Sequence, residues 1–233
     1  GIRDWDMVYR GKKPVHWCTH CRTALEDAEV EYSQHTSPSI YVEFPLTEES
    51  SAALTSRLPA LADQTLSALI WTTTPWTIPS NLALAFHPNF DYGIYDMDGT
   101  AIVVADSLAE RISNEIGRSL TKRLATIKGR HLEGLQFQHP LYDRESVGVL
   151  GDYVTLEQGT GVVHTAPGHG ADDFNTGVRY KLPTYAPVDP TGHFTDEVEL
   201  FAGLQVFEAN GKIEEALAAN GRLWHRDLSL IHI

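Results

Sequence analysis

Short strand-like runs follow one another too closely for helices to fit between them, and that spacing constrains the fold more than any other feature. Residues 68–73, 82–86, 92–95 and 101–104 are rich in β-branched, aromatic and small apolar side chains, with Pro, Asn, Asp and Gly between them. Asp98-Gly99 is a hairpin signal between the last two runs. Upstream, 39–44 alternates with a period of two and reads as a strand, and the polar, Ala- and Ser-rich stretch 47–64 reads as a surface connection with one helical turn. Further strand candidates are 124–128, 153–156 and 162–165. Helices are few. Ser107 and Glu110 have capping-box spacing, with Leu108, Ile112 and Ile116 as a buried stripe and Gly117 as a stop. A second helix is expected near Gly170 with Asp172 and Asp173 in its first turn, where the helix dipole favours acids, and a third over 206–219, ending at Asn220-Gly221. Regular βαβ alternation is missing, so the expected class is α+β: a mixed, barrel-like β domain with peripheral helices.

The 233 residues can bury a real core, and the opening Gly1-Ile2-Arg3, without an initiator Met, reads as a piece of something longer. Lys and Arg number 18 against 31 Asp and Glu, a net charge of −13, which argues against wrapping a nucleic-acid backbone over a large surface. Local cationic groups, Arg10, Lys12 and Lys13 and then Arg118, Lys122, Arg123, Lys128 and Arg130, either meet a short single-stranded end or form a solvated surface. No apolar run is long enough to cross a bilayer, so no membrane partner is expected. The only cysteines, Cys18 and Cys21 in a C-x-x-C, give no disulfide framework and fit a reducing cytoplasm. The tail 228–233 (Leu-Ser-Leu-Ile-His-Ile) reads as non-native, resembling a translated adapter used in DNA library preparation.

Two segments carry candidate chemistry. In 71–81 an apolar strand runs into Thr72, Thr73 and Thr74 and then a Pro-aromatic turn with Trp76; Pro75 pushes Thr74 out of helical conformation, so the loop leaves the sheet sharply. Hydroxyls at such an end suit a polar ligand, although threonines also simply favour strands. In 159–174 a strand delivers His164, a Gly-rich loop follows, and a helix start presents Asp172 and Asp173. The glycines do not match a nucleotide-phosphate loop. His164, His169, Asp172 and Asp173 either ligate a metal, or His164 is a satisfied strand residue and an ionised Asp grips an ammonium group. No G-x-S-x-G elbow or Cys–His pattern offers a covalent nucleophile.

Together the segments 12–18 (Lys-Lys-Pro-Val-His-Trp-Cys), 28–32 (Ala-Glu-Val-Glu-Tyr), 72–81 and 159–174 closely resemble the inserted editing domain of the isoleucyl-tRNA synthetases, over about residues 7–227 and in order. Valine and leucine relatives carry an Arg after two threonines where this chain has Thr74, which favours the isoleucine family. The resemblance implies the class I synthetase editing-domain fold, divided into a connecting stem with a C-x-x-C half-site (1–45), an editing core (46–205) and a return helix and stem (206–227). It implies hydrolysis of valyl-tRNA(Ile), valyl-adenylate or both by water, because an isoleucine pocket discriminates poorly against a side chain one methylene smaller, the case by which the editing principle is itself illustrated. Asp173 and Thr74 would be the catalytic pair, Asp173 holding the α-amino group. Thr72, Thr73, Trp76 and His164 would bind the substrate, His164 bounding its size. No cofactor is implied for editing; Cys18 and Cys21 are either half of a tetrahedral zinc site that the parent protein would complete or two free thiols. The parent would be an ATP-dependent isoleucine-tRNA ligase acting in cis, but the H-I-G-H and K-M-S-K-S types of activation motif are missing here. The rival expectations are a non-catalytic module that binds the tRNA 3′ end and a metal hydrolase built on His164, His169, Asp172 and Asp173.

Overall fold

The computed structural model describes residues 11–97, 99–120 and 122–232; Arg10 and Asp98, named above, lie outside them. The first described element is a hairpin of β1 (His16–Cys18) and β2 (Thr23–Leu25), whose turn is closed by Arg22 N–H donating to the Cys18 carbonyl at 2.7 Å. β3 (Gln34–Pro45) follows, then α1 (Glu48–Arg57), β4 (Thr65–Thr72), β5 (Ala83–Phe86), β6 (Asp91–Met97) and β7 (Thr100–Ala105). α2 (Ala109–Ile116), β8 (Arg123–Lys128), β9 (Gln136–Gln138), β10 (Glu145–Leu150) and β11 (Val162–Thr165) lead to α3 (Ala171–Tyr180), α4 (Val206–Ala219) and β12 (Leu223–His232).

The strands make a six-stranded sheet in the order β12-β3-β4-β7-β6-β8 and a four-stranded sheet in the order β11-β5-β10-β9. Both are mixed: β4 runs parallel to β7 and β5 parallel to β10, while the other pairs are antiparallel. The α+β class is as expected. The mixed sheets with few helices are also as expected, and neither sheet closes on itself among the described residues. Ile40, Phe44, Ile70, Phe86, Ile94 and Val103 from the sheets pack with Ile112 of α2 and Ile213 of α4 in one buried cluster. No described helix is long and apolar enough to cross a membrane.

Several local expectations give way to tertiary context. The strand expected at 39–44 lies within β3, and Ile40 through Phe44 are all buried. Glu43, the polar residue of that stretch, accepts from Ser67 Oγ at 2.7 Å, Arg222 Nη1 at 3.0 Å and Trp224 Nε1 at 2.8 Å; with three donors a carboxylate tolerates burial. The 47–64 stretch contains a ten-residue helix rather than one turn. Its signals are a cap and a charge gradient: Thr47 Oγ1 accepts from Ser50 N–H, Glu48 and Glu49 open the first turn and Arg57 closes the last, while Leu54 is its buried apolar anchor. The Ser107 capping box does not form: 106–108 is a 3-10 turn and α2 starts one residue after Leu108 without a side-chain cap, although Ile112 and Ile116 are buried and Gly117 stops the helix at φ 67° as expected. Residues 153–156 are a loop, with Tyr153 and Val154 packing on Ala83, Ala85 and Val149, and the strand in this region is β10 instead. β12 keeps its pairing from Leu223↔Val42 to His232↔Gln34, so 228–232 extends the edge of the large sheet through main-chain bonds.

The two sheets meet where β4 ends. β11, the edge of the small sheet, lies beside β4 of the large one, and the chain leaving each strand at this seam carries one of the two chemistry-bearing segments.

Candidate functional site

Beyond Thr72 the chain turns on its own hydroxyls. Thr74 N–H donates to Thr72 Oγ1 at 3.1 Å, and the two threonine hydroxyls lie 3.1 Å apart. Pro75 opens a 3-10 turn over Pro75–Ser80, where the ring fits the first helical position. Thr74 therefore stands exposed at the corner, Thr73 half-buried and Thr72 buried. The Thr73 carbonyl is held by Ser37 Oγ at 2.6 Å.

His164 faces this turn from β11, and its hydrogen bonds fix its tautomer. Asn81 Nδ2 is a donor, reaching the Ala83 carbonyl at 2.9 Å and His164 Nδ1 at 2.7 Å, while Asn81 Oδ1 accepts from Ser146 Oγ at 2.5 Å. Nδ1 thus accepts, the imidazole proton sits on Nε2, and Nε2–H donates to Thr77 Oγ1 at 2.9 Å; the Thr77 hydroxyl in turn donates to the Thr74 carbonyl at 2.8 Å. Burial, with a smaller repulsion from His169, pushes His164 down to about 3, so it is neutral at physiological pH. With both nitrogens engaged it is a rigid wall and not a proton acceptor.

Asp173 comes from the first turn of α3, which Gly170 opens in an extended conformation. Burial first, and then the neighbouring Asp172 charge, raise its carboxyl to about 7 against a lowering hydrogen bond from the Ala166 backbone. A carboxyl poised in this way ionises fully when a cation arrives, so the position suits an ammonium group. His169, whose Nε2 lies 2.9 Å from Ser80 Oγ, is held down at about 4 by burial.

Thr72, Thr73, Thr74, His164 and Asp173 line one cavity of about 210 Å³, completed by Trp71, Thr77, Val163, Ala166 and His169. That is smaller than the roughly 300–1,000 Å³ of sites for drug-sized ligands, and of amino-acid scale. Trp76 is placed next door. Its N–H donates to Asn210 Oδ1 of α4 at 3.0 Å and its ring meets His169 edge-on at 5.1 Å, lining a separate, mostly apolar cavity of about 460 Å³ with Trp17 and Phe207. His169 borders both cavities. Thr77, Asn81 and Trp71 also belong to the site, although the sequence alone does not single them out. The Asn81 signal is a lone amide just after a Pro-containing turn, visible only once its partner His164 is known.

Cys18 and Cys21 lie in the β1–β2 turn, away from this cavity. The Cys21 N–H points at Cys18 Sγ at 3.3 Å and holds that thiol below its ordinary range, while the Cys18 sulfur pushes Cys21 up. The turn supplies two ligands of the four a structural zinc takes, and among the described residues no group of three or more His, Cys, Asp and Glu converges on one point. The residues present therefore do not fit a closed zinc site. Nor do His164, His169, Asp172 and Asp173 converge as ligands, His164 having no free nitrogen and Asp172 being exposed.

The family model for class I tRNA synthetases of the I, L, M and V group matches residues 1–207. Isoleucine–tRNA ligases from Petrotoga mobilis and from Nitratidesulfovibrio vulgaris (strain Miyazaki F) are 48% and 50% identical over 216 residues, 93% of this chain but 22% and 23% of theirs. The chain thus spans less than a quarter of the length of these curated relatives. Among solved structures, GlLeuRS-CP1 superposes with a TM-score of 0.65 at 14% identity, covering 81% of this chain and 99% of that one. The Plasmodium falciparum cytosolic leucyl-tRNA synthetase editing domain gives 0.58 at 10% identity, covering 82% and 99%. At these identities the likeness is one of fold: mixed sheets with few helices.

Proposed function

Since the chain belongs to the class I tRNA synthetases of the isoleucine, leucine, methionine and valine group, we propose that it is the editing domain of an isoleucine-tRNA ligase and hydrolyses valyl-tRNA(Ile), valyl-adenylate or both. The single observation that carries this reading is the amino-acid-sized cavity in which hydroxyls from 72–74 meet Asp173, some hundred residues further along the chain.

The substrate α-ammonium docks on ionised Asp173 through charge-assisted hydrogen bonds. The ester carbonyl then lies toward the threonine corner, where the exposed Thr74 hydroxyl, tied to Thr72, orients the attacking water together with hydroxyls of the substrate ribose. Water adds to the carbonyl carbon, the tetrahedral intermediate expels the ribose oxygen, and that oxygen takes the proton the water gives up. His164 supplies an unyielding neutral wall that limits side-chain size. Its two engaged nitrogens keep it out of the proton transfer, so the chemistry rests on positioning. Thr72 and Thr73 shape the corner, and Trp76, one cavity away, meets the terminal adenosine. The reaction needs no cofactor, takes place in the cytoplasm, and receives its mischarged 3′ end from the rest of the synthetase in cis. Zinc, where the parent holds one, would use Cys18 and Cys21 with ligands from elsewhere.

Replacing Asp173 by Ala in the synthetase that carries this segment tests the assignment. Valyl-tRNA(Ile) deacylation should be lost with aminoacylation and circular dichroism unchanged; retained deacylation would count against it.

A further inference from the structure

Trp71, the last residue of β4 before the threonines, stands between two cavities. One face of its surroundings is the 210 Å³ threonine cavity; on the other side lies a cavity of about 370 Å³ lined by Tyr41, Arg111, Glu115 and Gly159. Trp71 lines both cavities, and the place of its indole is set from the side of the larger one. Trp71 Nε1 donates to Ser39 Oγ on β3 at 2.7 Å. Gly159 presses on the ring: a Cβ added there would lie 3.1 Å from Trp71 Cε3 and 3.4 Å from Trp71 Cβ, and the residue adopts φ 70°, a conformation that favours glycine. The Gly159 loop is in turn latched to α2. Arg111 Nη1 donates to the Glu157 carbonyl at 2.6 Å and Nη2 to the Gly159 carbonyl at 3.1 Å, and Arg111 Nε lies 3.6 Å from Glu115 Oε1, whose carboxylate also takes the Tyr41 hydroxyl.

We propose that Trp71 is a specificity-determining residue of the editing cavity, its indole closing the apolar end against which a branched aliphatic side chain packs, and that Arg111 acts through Gly159 as a positioning residue for it. This rests on the editing function proposed above. The cavity polarises as such a role requires: Asp173 and the threonine hydroxyls hold the ammonium and ester ends, while Trp71, Val163 and Ala166 are its apolar lining. A wall held between a hydroxyl and a glycine backbone cannot retreat to admit one more methylene, and one methylene in an apolar pocket is worth roughly 10–200-fold.

The test is the ratio of kcat/KM for isoleucyl- and valyl-tRNA(Ile) deacylation in the full synthetase, wild type against Trp71→Phe, Ser39→Ala and Arg111→Ala. Trp71→Phe removes the ring volume and the Ser39 bond, and should raise the isoleucine-to-valine ratio roughly tenfold or more, mainly through a lower KM for isoleucyl-tRNA. Ser39→Ala, which deletes one hydroxyl and leaves the indole in the fold, should shift the ratio in the same direction by a smaller factor. Arg111→Ala, far from the substrate, should do likewise. A wild type that cleaves valyl-tRNA but whose three variants keep its ratio, or lose both rates equally, would overturn the role of Trp71 and leave the editing function standing. A wild type that cleaves neither ester would overturn both.

Discussion

Asn81 Nδ2 stands 2.7 Å from Nδ1 of His164, and this one bond decides which imidazole nitrogen carries the proton. Everything downstream follows from it: Nε2–H to Thr77, Thr77 to the Thr74 carbonyl, and hence the fixed corner from which Thr74 meets the cavity. Asn81→Asp removes the donor and places an acceptor against Nδ1. His164 should then be protonated on both nitrogens, and its titration, followed by imidazole NMR, should move from about 3 toward the ordinary range near 6.5. A titration that stays near 3 would contradict this network.

Asp173→Asn keeps the shape of the cavity and removes the charge proposed to pair with the ammonium. The expected loss in kcat/KM for valyl-tRNA(Ile) is about 100-fold, equivalent to ~2.7 kcal/mol of transition-state stabilisation.

The pH profile has a defined sign. Asp173 titrates near 7 in the empty cavity, so acidification through that value protonates it and removes the ammonium partner. The substrate α-amino group, with a pKa of roughly 7.7–8.0, must be cationic. After subtraction of spontaneous ester hydrolysis, kcat/KM should therefore rise to pH 7, peak between about 7 and 8, and fall beyond. Asp173→Asn should lack the acidic limb.

Stability should also depend on pH through the buried groups. Burial lowers His139 and His164 from 6.5 to about 3 and His169 to about 4, and raises Asp173 from 3.8 to about 7. The histidine contribution is present above pH 6.5 and is lost as pH falls toward the folded values. The Asp173 contribution runs the other way, with stability lost as pH rises from about 4 to 7. Near pH 5 unfolding loads three imidazoles and releases one carboxyl proton, a net uptake of roughly two protons, so these groups make stability rise with pH by up to roughly 2.7 kcal/mol per pH unit. Urea unfolding at pH 4.5–6 measures this slope, and Asp173→Asn should steepen it by about one proton. A flat dependence in both proteins would contradict the buried neutral histidines.

Gly117 ends α2 at φ 67° with open space where a Cβ would go. Gly117→Ala should therefore cost only backbone strain, about 1 kcal/mol, lowering Tm by roughly 2–4 °C, with deacylation unchanged.

Much of the site was legible because its signals are local. Pro75 after three threonines makes a corner, and Asp172 and Asp173 after Gly170 mark a helix start; the spacing of each segment already says what it presents. What joins the segments was not legible. Asn81 and Trp71 act through partners 83 and 32 positions away, and Trp76 leaves the threonine cavity because Asn210 on α4 holds its backbone. In the fold the same division appears: the 206–219 helix and the Gly117 stop are local and stand as read, whereas the burial of Ile40 through Phe44 on β3 depends on Arg222 and Trp224 arriving from the far end of the chain to satisfy Glu43.

Under the proposed function the cavity hydrolyses a valyl ester and excludes an isoleucyl one. Deacylation of valyl-tRNA(Ile) beside isoleucyl-tRNA(Ile), by the synthetase carrying this segment and by the same enzyme with Asp173→Ala, tests it most directly. Valine should be released rapidly, isoleucine at a rate lower by at least the roughly 10-fold that one methylene can provide, and no valine by the variant. Valyl-tRNA that is bound but left intact by the wild-type enzyme would contradict it, and would leave a 3′-end-binding module in its place.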